Sequence, residues 1–85
     1  MVRVDYTRHA RAKFEMLKRH GFEIRPDQVE ETVLRPEAVT PQPGGRLLAQ
    51  KRLTQRHVLR VVYREEGEVR VVITFYPGRR ERYET

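Results

Sequence analysis

The sequence predicts an α+β domain: an N-terminal strand, two helices, then a three-stranded antiparallel meander with both helices on one face of the sheet. Three observations predict it. Apolar residues recur at helical spacing between residues 8 and 34, they alternate at strand spacing between 46 and 76, and Thr7, Gly21, Pro26 and Pro36 stand where helices start and stop. The 85 residues make a single domain. A domain this small buries only roughly 60–65 % of the surface of its unfolded chain, so its core is thin.

Val2, Val4 and Tyr6 alternate with Arg3 and Asp5, which is a short strand. Thr7 follows as an N-cap, its hydroxyl placed to accept from the first helical N–H groups. Helix 1 is expected over Arg8–His20, with Ala10, Phe14 and Leu17 as its apolar stripe and Gly21 as its stop. Phe22 and Ile24 dock the connection into the core. Pro26 suits the first position of helix 2, where its missing N–H costs nothing, and Asp27, Glu30 and Glu31 suit the positive end of the helix dipole. Val29 and Val33 give the buried edge, and Pro36 ends the helix. Residues 36–45 hold three prolines and two glycines and predict a loop, with a brief extended piece at Ala38–Thr40. Strands are expected at Arg46–Leu53, Arg56–Arg64 and Glu68–Tyr76, with a tight turn at Glu65-Glu66-Gly67 and an end at Pro77-Gly78. The charged tail from Arg79 has Tyr83 as its only anchor.

Composition excludes several classes. No apolar run is long enough to span a membrane, and Met1–Asp5 lacks the apolar stretch of a signal peptide. Absent cysteines exclude disulfides, thiolate zinc sites and a cysteine nucleophile, and a cytoplasmic location is expected. No Gly-rich phosphate loop, Walker motif or nucleophile elbow occurs, so no cofactor is expected. The net charge is +6, and residues 46–64 carry six basic side chains and no acid. Such a field attracts polyanions, most often nucleic acid, and sometimes an acidic protein. The plainer alternative is a soluble basic surface whose charge serves heat stability.

Strand alternation divides the sheet into two faces. Val69, Val71, Ile73 and Phe75, with Leu59, Val61, Tyr63, Leu47, Ala49 and Leu53, are expected under the helices; His57 shares their parity. The open face gathers Arg46, Arg52, Arg56, Arg60, Arg64 and Arg70, with Leu48, Gln50, Val58, Val62, Val72, Thr74 and Tyr76. Arginine forks hold phosphate and a tyrosine ring offers a stacking surface, a pattern suited to single-stranded or folded RNA. Arginines that merely keep an exposed sheet soluble give the same pattern.

On helix 1, His9, Lys13, Met16 and His20 form a stripe beside the apolar one. His9 and Lys13 stand at i, i+4, a titratable ring beside a cation. RNA cleavage asks for removal of the 2′-OH proton, positive charge on the phosphorane and a proton for the leaving oxygen. His9 and His20 lie about 16 Å apart along one helix and share no carboxylate, so a metal site is not expected.

Three segments carry a resemblance: Tyr6-Thr7-Arg8-His9-Ala10, the run from Ile24 to Glu37, and Val71-Val72-Ile73-Thr74-Phe75-Tyr76-Pro77. Together they resemble an uncharacterised small-domain family placed near the RelE/ParE-like toxins, within the barnase–EndoU–colicin–RelE group of ribonucleases. The resemblance runs from about residue 5 to 80. It implies a strand, two helices and a curved antiparallel sheet. A recurrent helix 1 histidine followed by alanine maps to His9-Ala10, and Lys13 stands where that family usually has arginine. RelE-like ribonucleases use Lys, Arg and Tyr of the sheet and C-terminal segment without a metal, parts that Arg52, Arg60, Tyr76 and Arg79 can take.

The expectation is therefore a metal-independent RNA endonuclease, the toxin of a toxin–antitoxin pair neutralised by a small acidic protein. His9, Arg60 and Tyr76 are its catalytic candidates; Lys13, Arg46, Arg52, Arg56, Arg64 and Arg79 are its RNA-binding candidates. The alternatives are a non-catalytic nucleic-acid-binding module or a protein-interaction module on the same fold. One geometric question stays open. His9 lies on a helix over the core face and Arg60 on the open face, so a shared site requires helix 1 to begin at the sheet edge. The other arrangement joins His9 to His57 and Lys51 on the core side.

Overall fold

The computed structural model describes residues 1–80; Tyr83 lies outside the described residues. The order is β1 (Arg3–Tyr6), α1 (Arg8–Arg19), α2 (Pro26–Leu34), β2 (Ala38–Gln42), β3 (Arg46–Arg52), β4 (His57–Glu66) and β5 (Val69–Arg79). These form one five-stranded sheet in the order β1-β5-β4-β3-β2. β1 runs parallel to β5 and every other pairing is antiparallel. The fold is thus α+β as expected, with a mixed sheet of five strands.

Local chemistry sets the helix ends. The Thr7 hydroxyl accepts from Ala10 N at 3.1 Å and donates to the Ile73 carbonyl at 3.1 Å, so one side chain caps α1 and ties it to β5. At the other end Gly21 has φ +82°, and the N–H groups of Gly21 and Phe22 return to the carbonyls of Lys18 and Leu17. That is a Schellman closure, and it leaves Phe22 beside Leu17 at the core margin. α2 opens with Pro26 at its first position while Gln28 Oε1 accepts from the Arg25 N–H at 2.8 Å.

Two boundaries correct the sequence reading. The brief extended piece expected at Ala38–Thr40 is a full strand over Ala38–Gln42, paired along its length with β3. β2 is an edge strand, which bonds on one side only and so tolerates Pro41; Gly44 and Gly45, at φ +81° and +75°, turn the chain into β3. β5 also continues through Pro77-Gly78 to Arg79, pairing with β4 throughout. Beyond Tyr6 there is no β1 residue beside β5, so Pro77 too stands on an edge.

A third correction concerns the faces. Val62 pairs with Thr74, but Tyr63 pairs with Val72, so Ile73 is an extra residue in β5. A bulge of one residue reverses the parity of everything before it. Val72 is therefore fully buried under the helices, and Arg70 lies on the helix side, donating to the Val33 carbonyl at 2.7 Å with its guanidinium 5.9 Å from the Tyr63 ring centre. Val71, opposite Arg64, takes the open face instead.

The core lies between the helices and the sheet: Ala10, Ile24, Val29, Val33, Ala49, Leu59, Val61, Tyr63, Val72 and Phe75. Phe75 is its largest fully buried side chain, with the Phe14 ring 4.6 Å away. The one buried polar side chain among the described residues, Thr32, donates to the Gln28 carbonyl one turn back.

Candidate nucleic-acid interface and active site

On the face away from the helices, pairing brings Gln50, Arg60 and Tyr76 into one row across β3, β4 and β5. Arg60 Nε donates to the Tyr76 hydroxyl at 3.1 Å and Nη1 donates to Gln50 Oε1 at 2.8 Å. The guanidinium carbon sits 5.6 Å from the Tyr76 ring centre. Two planar neighbours thus fix a half-buried arginine, which limits the ordering it must undergo when an anion arrives. The adjacent row is Leu48, Val62 and Thr74, and Arg52 stands opposite Val58 on the other side. Leu48, Val58 and Val62 are buried, so this face is more than a solvated arginine surface.

His9 reaches the same face. Its Nε2 lies 3.2 Å from Thr74 Oγ1. The geometry follows from the clamp at Thr7: β1 ends at Tyr6, Thr7 bonds to β5 at the bulge, and the first turn of α1 starts at the newly exposed edge of β5. Thr74 and Tyr76 share a face two residues apart, about 7 Å along the strand. His9 with Thr74, and Tyr76 with Arg60 and Gln50, are therefore two bonded groups on one face that together make a polar track from the sheet edge to its middle. Alternation puts Thr74 and Gln50 on this face but does not say which neighbours bond.

The alternative grouping is not assembled. Lys51 donates to Glu31 Oε1 at 3.2 Å and to the Arg35 carbonyl at 2.8 Å, joining α2 to β3. That hydrogen bond from Lys51 is the main reason the Glu31 carboxyl is held below the usual carboxylate range. His57 meets the Thr54 hydroxyl at 3.2 Å and stands nearly perpendicular to the Phe22 ring, ring centres 5.0 Å apart. Both lie away from the β5 edge that His9 occupies.

The remaining candidates divide between the two ends of the sheet. Arg52, Arg56 and Arg79 lie at the β3–β4 turn end, with Arg79 opposite His57 and with Arg80 N–H bonded to the Arg56 carbonyl. Arg46 and Arg64 lie at the other end, next to the Leu47–Tyr63 pair, and Arg64 is ion-paired to Glu66. Lys13 is half-buried on α1, one turn beyond His9 and off the track just described. Among the described residues no three of His, Cys, Asp or Glu come together to hold a metal ion, and no helix is long and apolar enough to cross a membrane.

Comparison with family models, with curated proteins and with solved structures finds no match for this chain.

Proposed function

We propose that this protein is an RNA endonuclease of RelE-like type that works without a metal, and that its site is the track from His9 to Gln50. The observation that carries the proposal is the 3.2 Å approach of His9 to Thr74, which brings a titratable ring onto the face that holds Arg60 and Tyr76. With Nε2 engaged by Thr74, Nδ1 is the nitrogen that takes the 2′-OH proton of the RNA. The 2′ oxygen then attacks phosphorus and the bond to the 5′ oxygen breaks. The 5′ oxygen leaves with a proton from solvent, giving a 2′,3′-cyclic phosphate and a 5′-hydroxyl. Arg60, oriented by Tyr76 and Gln50, places positive charge where the phosphorane develops it. The Tyr76 ring offers a stacking platform for a base. A toxin role, checked by an acidic partner protein, follows from the same resemblance.

The test is incubation of the purified chain with end-labelled RNA in the presence of a chelator. Cleavage to cyclic-phosphate ends is expected, slowed about 10²–10⁴-fold in His9→Ala. Intact RNA, together with normal growth of cells expressing the chain alone, removes the proposal. Salt-sensitive RNA binding that survives His9→Ala without any cleavage identifies a binding module instead.

A further inference from the structure

α1 begins against three successive residues of β5. The Thr7 N–H donates to the Val72 carbonyl at 2.9 Å, the Thr7 hydroxyl donates to the Ile73 carbonyl at 3.1 Å, and His9 Nε2 lies 3.2 Å from Thr74 Oγ1. The first two contacts fix the backbone of the turn and do not restrain the His9 ring. The third is the only contact of that ring among the described residues, and a side chain makes it. The bulge sets it up: with Ile73 as the extra residue, Val72 lies under the helices and Thr74 takes the open face beside the start of α1. The three histidines differ in what holds them. His20 Nδ1 lies 2.8 Å from the Met16 carbonyl, which only accepts, so that nitrogen carries a proton. The Thr54 hydroxyl already accepts from the N–H groups of Arg56 and His57, so its own proton turns to His57 Nδ1. The Thr74 hydroxyl has no second bond among the described residues and can turn either way. If it accepts from Nε2–H, the Nδ1 lone pair is left open, and the bond persists when the ring gains a second proton. If it donates to Nε2, the proton sits on Nδ1 and no lone pair is open.

We infer that Thr74 is a positioning residue for His9: its hydroxyl accepts from Nε2–H, holds the ring at the β5 edge and so selects Nδ1 as the nitrogen that meets the RNA. The inference rests on the proposed cleavage and adds the residue that chooses and orients its base. Thr74 touches neither the RNA nor the reacting atoms in this role. When Nδ1 takes the 2′-OH proton, the ring becomes a cation with both nitrogens protonated. Nε2–H stays on Thr74, and the proton on Nδ1 passes to solvent once the bond to the 5′ oxygen has broken. No hydrogen bond to the base is remade during the step, so none of the rate is lost to reorganisation.

The experiment compares the full chain with Thr74→Val, which keeps the branched shape and loses the hydroxyl, and with Thr74→Ser, which keeps the hydroxyl. Thermal melts confirm that both variants fold. The His9 ring is read without RNA, in isotope-labelled protein, by long-range proton–nitrogen NMR at about pH 9, where an imidazole is neutral. The original chain and Thr74→Ser are expected to carry the proton on Nε2, and Thr74→Val to show a mixture of the two tautomers. Cleavage is read with an end-labelled 12-nucleotide uridylate RNA. Thr74→Val is expected to lower kcat about 10-fold with KM within about 2-fold, and Thr74→Ser to stay within about 3-fold of the original. A proton on Nδ1 in the original chain, the same ring signals in Thr74→Val, or a kcat for Thr74→Val within about 2-fold of the original overturns the positioning role and leaves the cleavage in place. A chain that gives the expected ring signals and leaves RNA intact overturns the proposed function, and the role of Thr74 in it, so the two failures are told apart by the NMR.

Discussion

Replacing Arg60 by alanine tests whether the middle of the track is built or incidental. Among the described residues, Arg60 donates charge-assisted hydrogen bonds at 3.1 Å to Tyr76 and at 2.8 Å to Gln50. Such bonds are worth about 1.5–3 kcal/mol when buried, and about 1 kcal/mol each for a side chain left half-exposed. Tyr76→Phe and Gln50→Ala each remove one and should cost about 1 kcal/mol. Arg60→Ala removes both, along with the packing of its stem, and should cost about 2–3 kcal/mol. For a chain of this size the urea dependence is about 1 kcal/mol per molar, so the unfolding midpoint should fall by about 1 M for either single-bond variant and about 2–3 M for Arg60→Ala. Tyr76→Phe made on top of Arg60→Ala should then cost about 0.5–1 kcal/mol less than it does alone, because the bond it breaks is already gone. A midpoint shift below about 0.3 M for Arg60→Ala, or strict additivity with Tyr76→Phe, refutes the idea that these side chains hold one another in place.

Three further outcomes follow from the same structure. Thr7→Ala removes both the cap on α1 and the bond to Ile73; it should cost about 1–2 kcal/mol in urea unfolding and reduce cleavage further than that loss of folded protein explains, since it frees His9 from the β5 edge. Phe75→Ala empties the centre of the core and should cost about 3–5 kcal/mol, most of the stability of so small a domain, whereas Phe75→Leu should stay folded, as read by thermal melting. The Tyr6 hydroxyl is pushed up to about 12, first by partial burial and then by the Glu30 carboxylate, and burial also pushes Tyr63 up. A tyrosine harder to ionise when folded lends stability that is complete below pH 10 and is lost as pH rises toward 12. Tyr6→Phe should therefore flatten the alkaline decline by roughly 1 kcal/mol after allowance for solvent access, measured as denaturant midpoint against pH.

Much of the fold is legible because its signals are local. Thr7, Gly21 and Pro26 mark the helix ends through capping and backbone preference, and alternation marks β3, β4 and β5. β2 is legible only in part: its extended start at Ala38–Thr40 shows, but its continuation through Pro41 and its pairing with β3 do not, because an edge strand needs hydrogen bonds on one side only and its partner lies beyond a turn. The bulge at Ile73 is not legible either. Val69, Val71, Ile73 and Phe75 alternate without a break, and one inserted residue leaves no periodic trace while sending Arg70 and Val72 under the helices. The Arg60–Tyr76 row survives because both residues lie on the far side of that bulge. The contact of His9 with Thr74 depends on where β1 stops and where Thr7 bonds, facts that join residues 65 positions apart and carry no local signature.

The proposed convergence of His9 and Arg60 on one reaction is tested most directly by the cleavage rate of the His9→Ala, Arg60→Ala double variant beside the two single variants. Groups that serve one transition state lose far less together than the product of their separate losses. The double variant should cleave within about 10-fold of His9→Ala alone. A rate lower by the full product of the two single effects, or a His9→Ala protein that cleaves as fast as the original, would show that the two residues do not share a site.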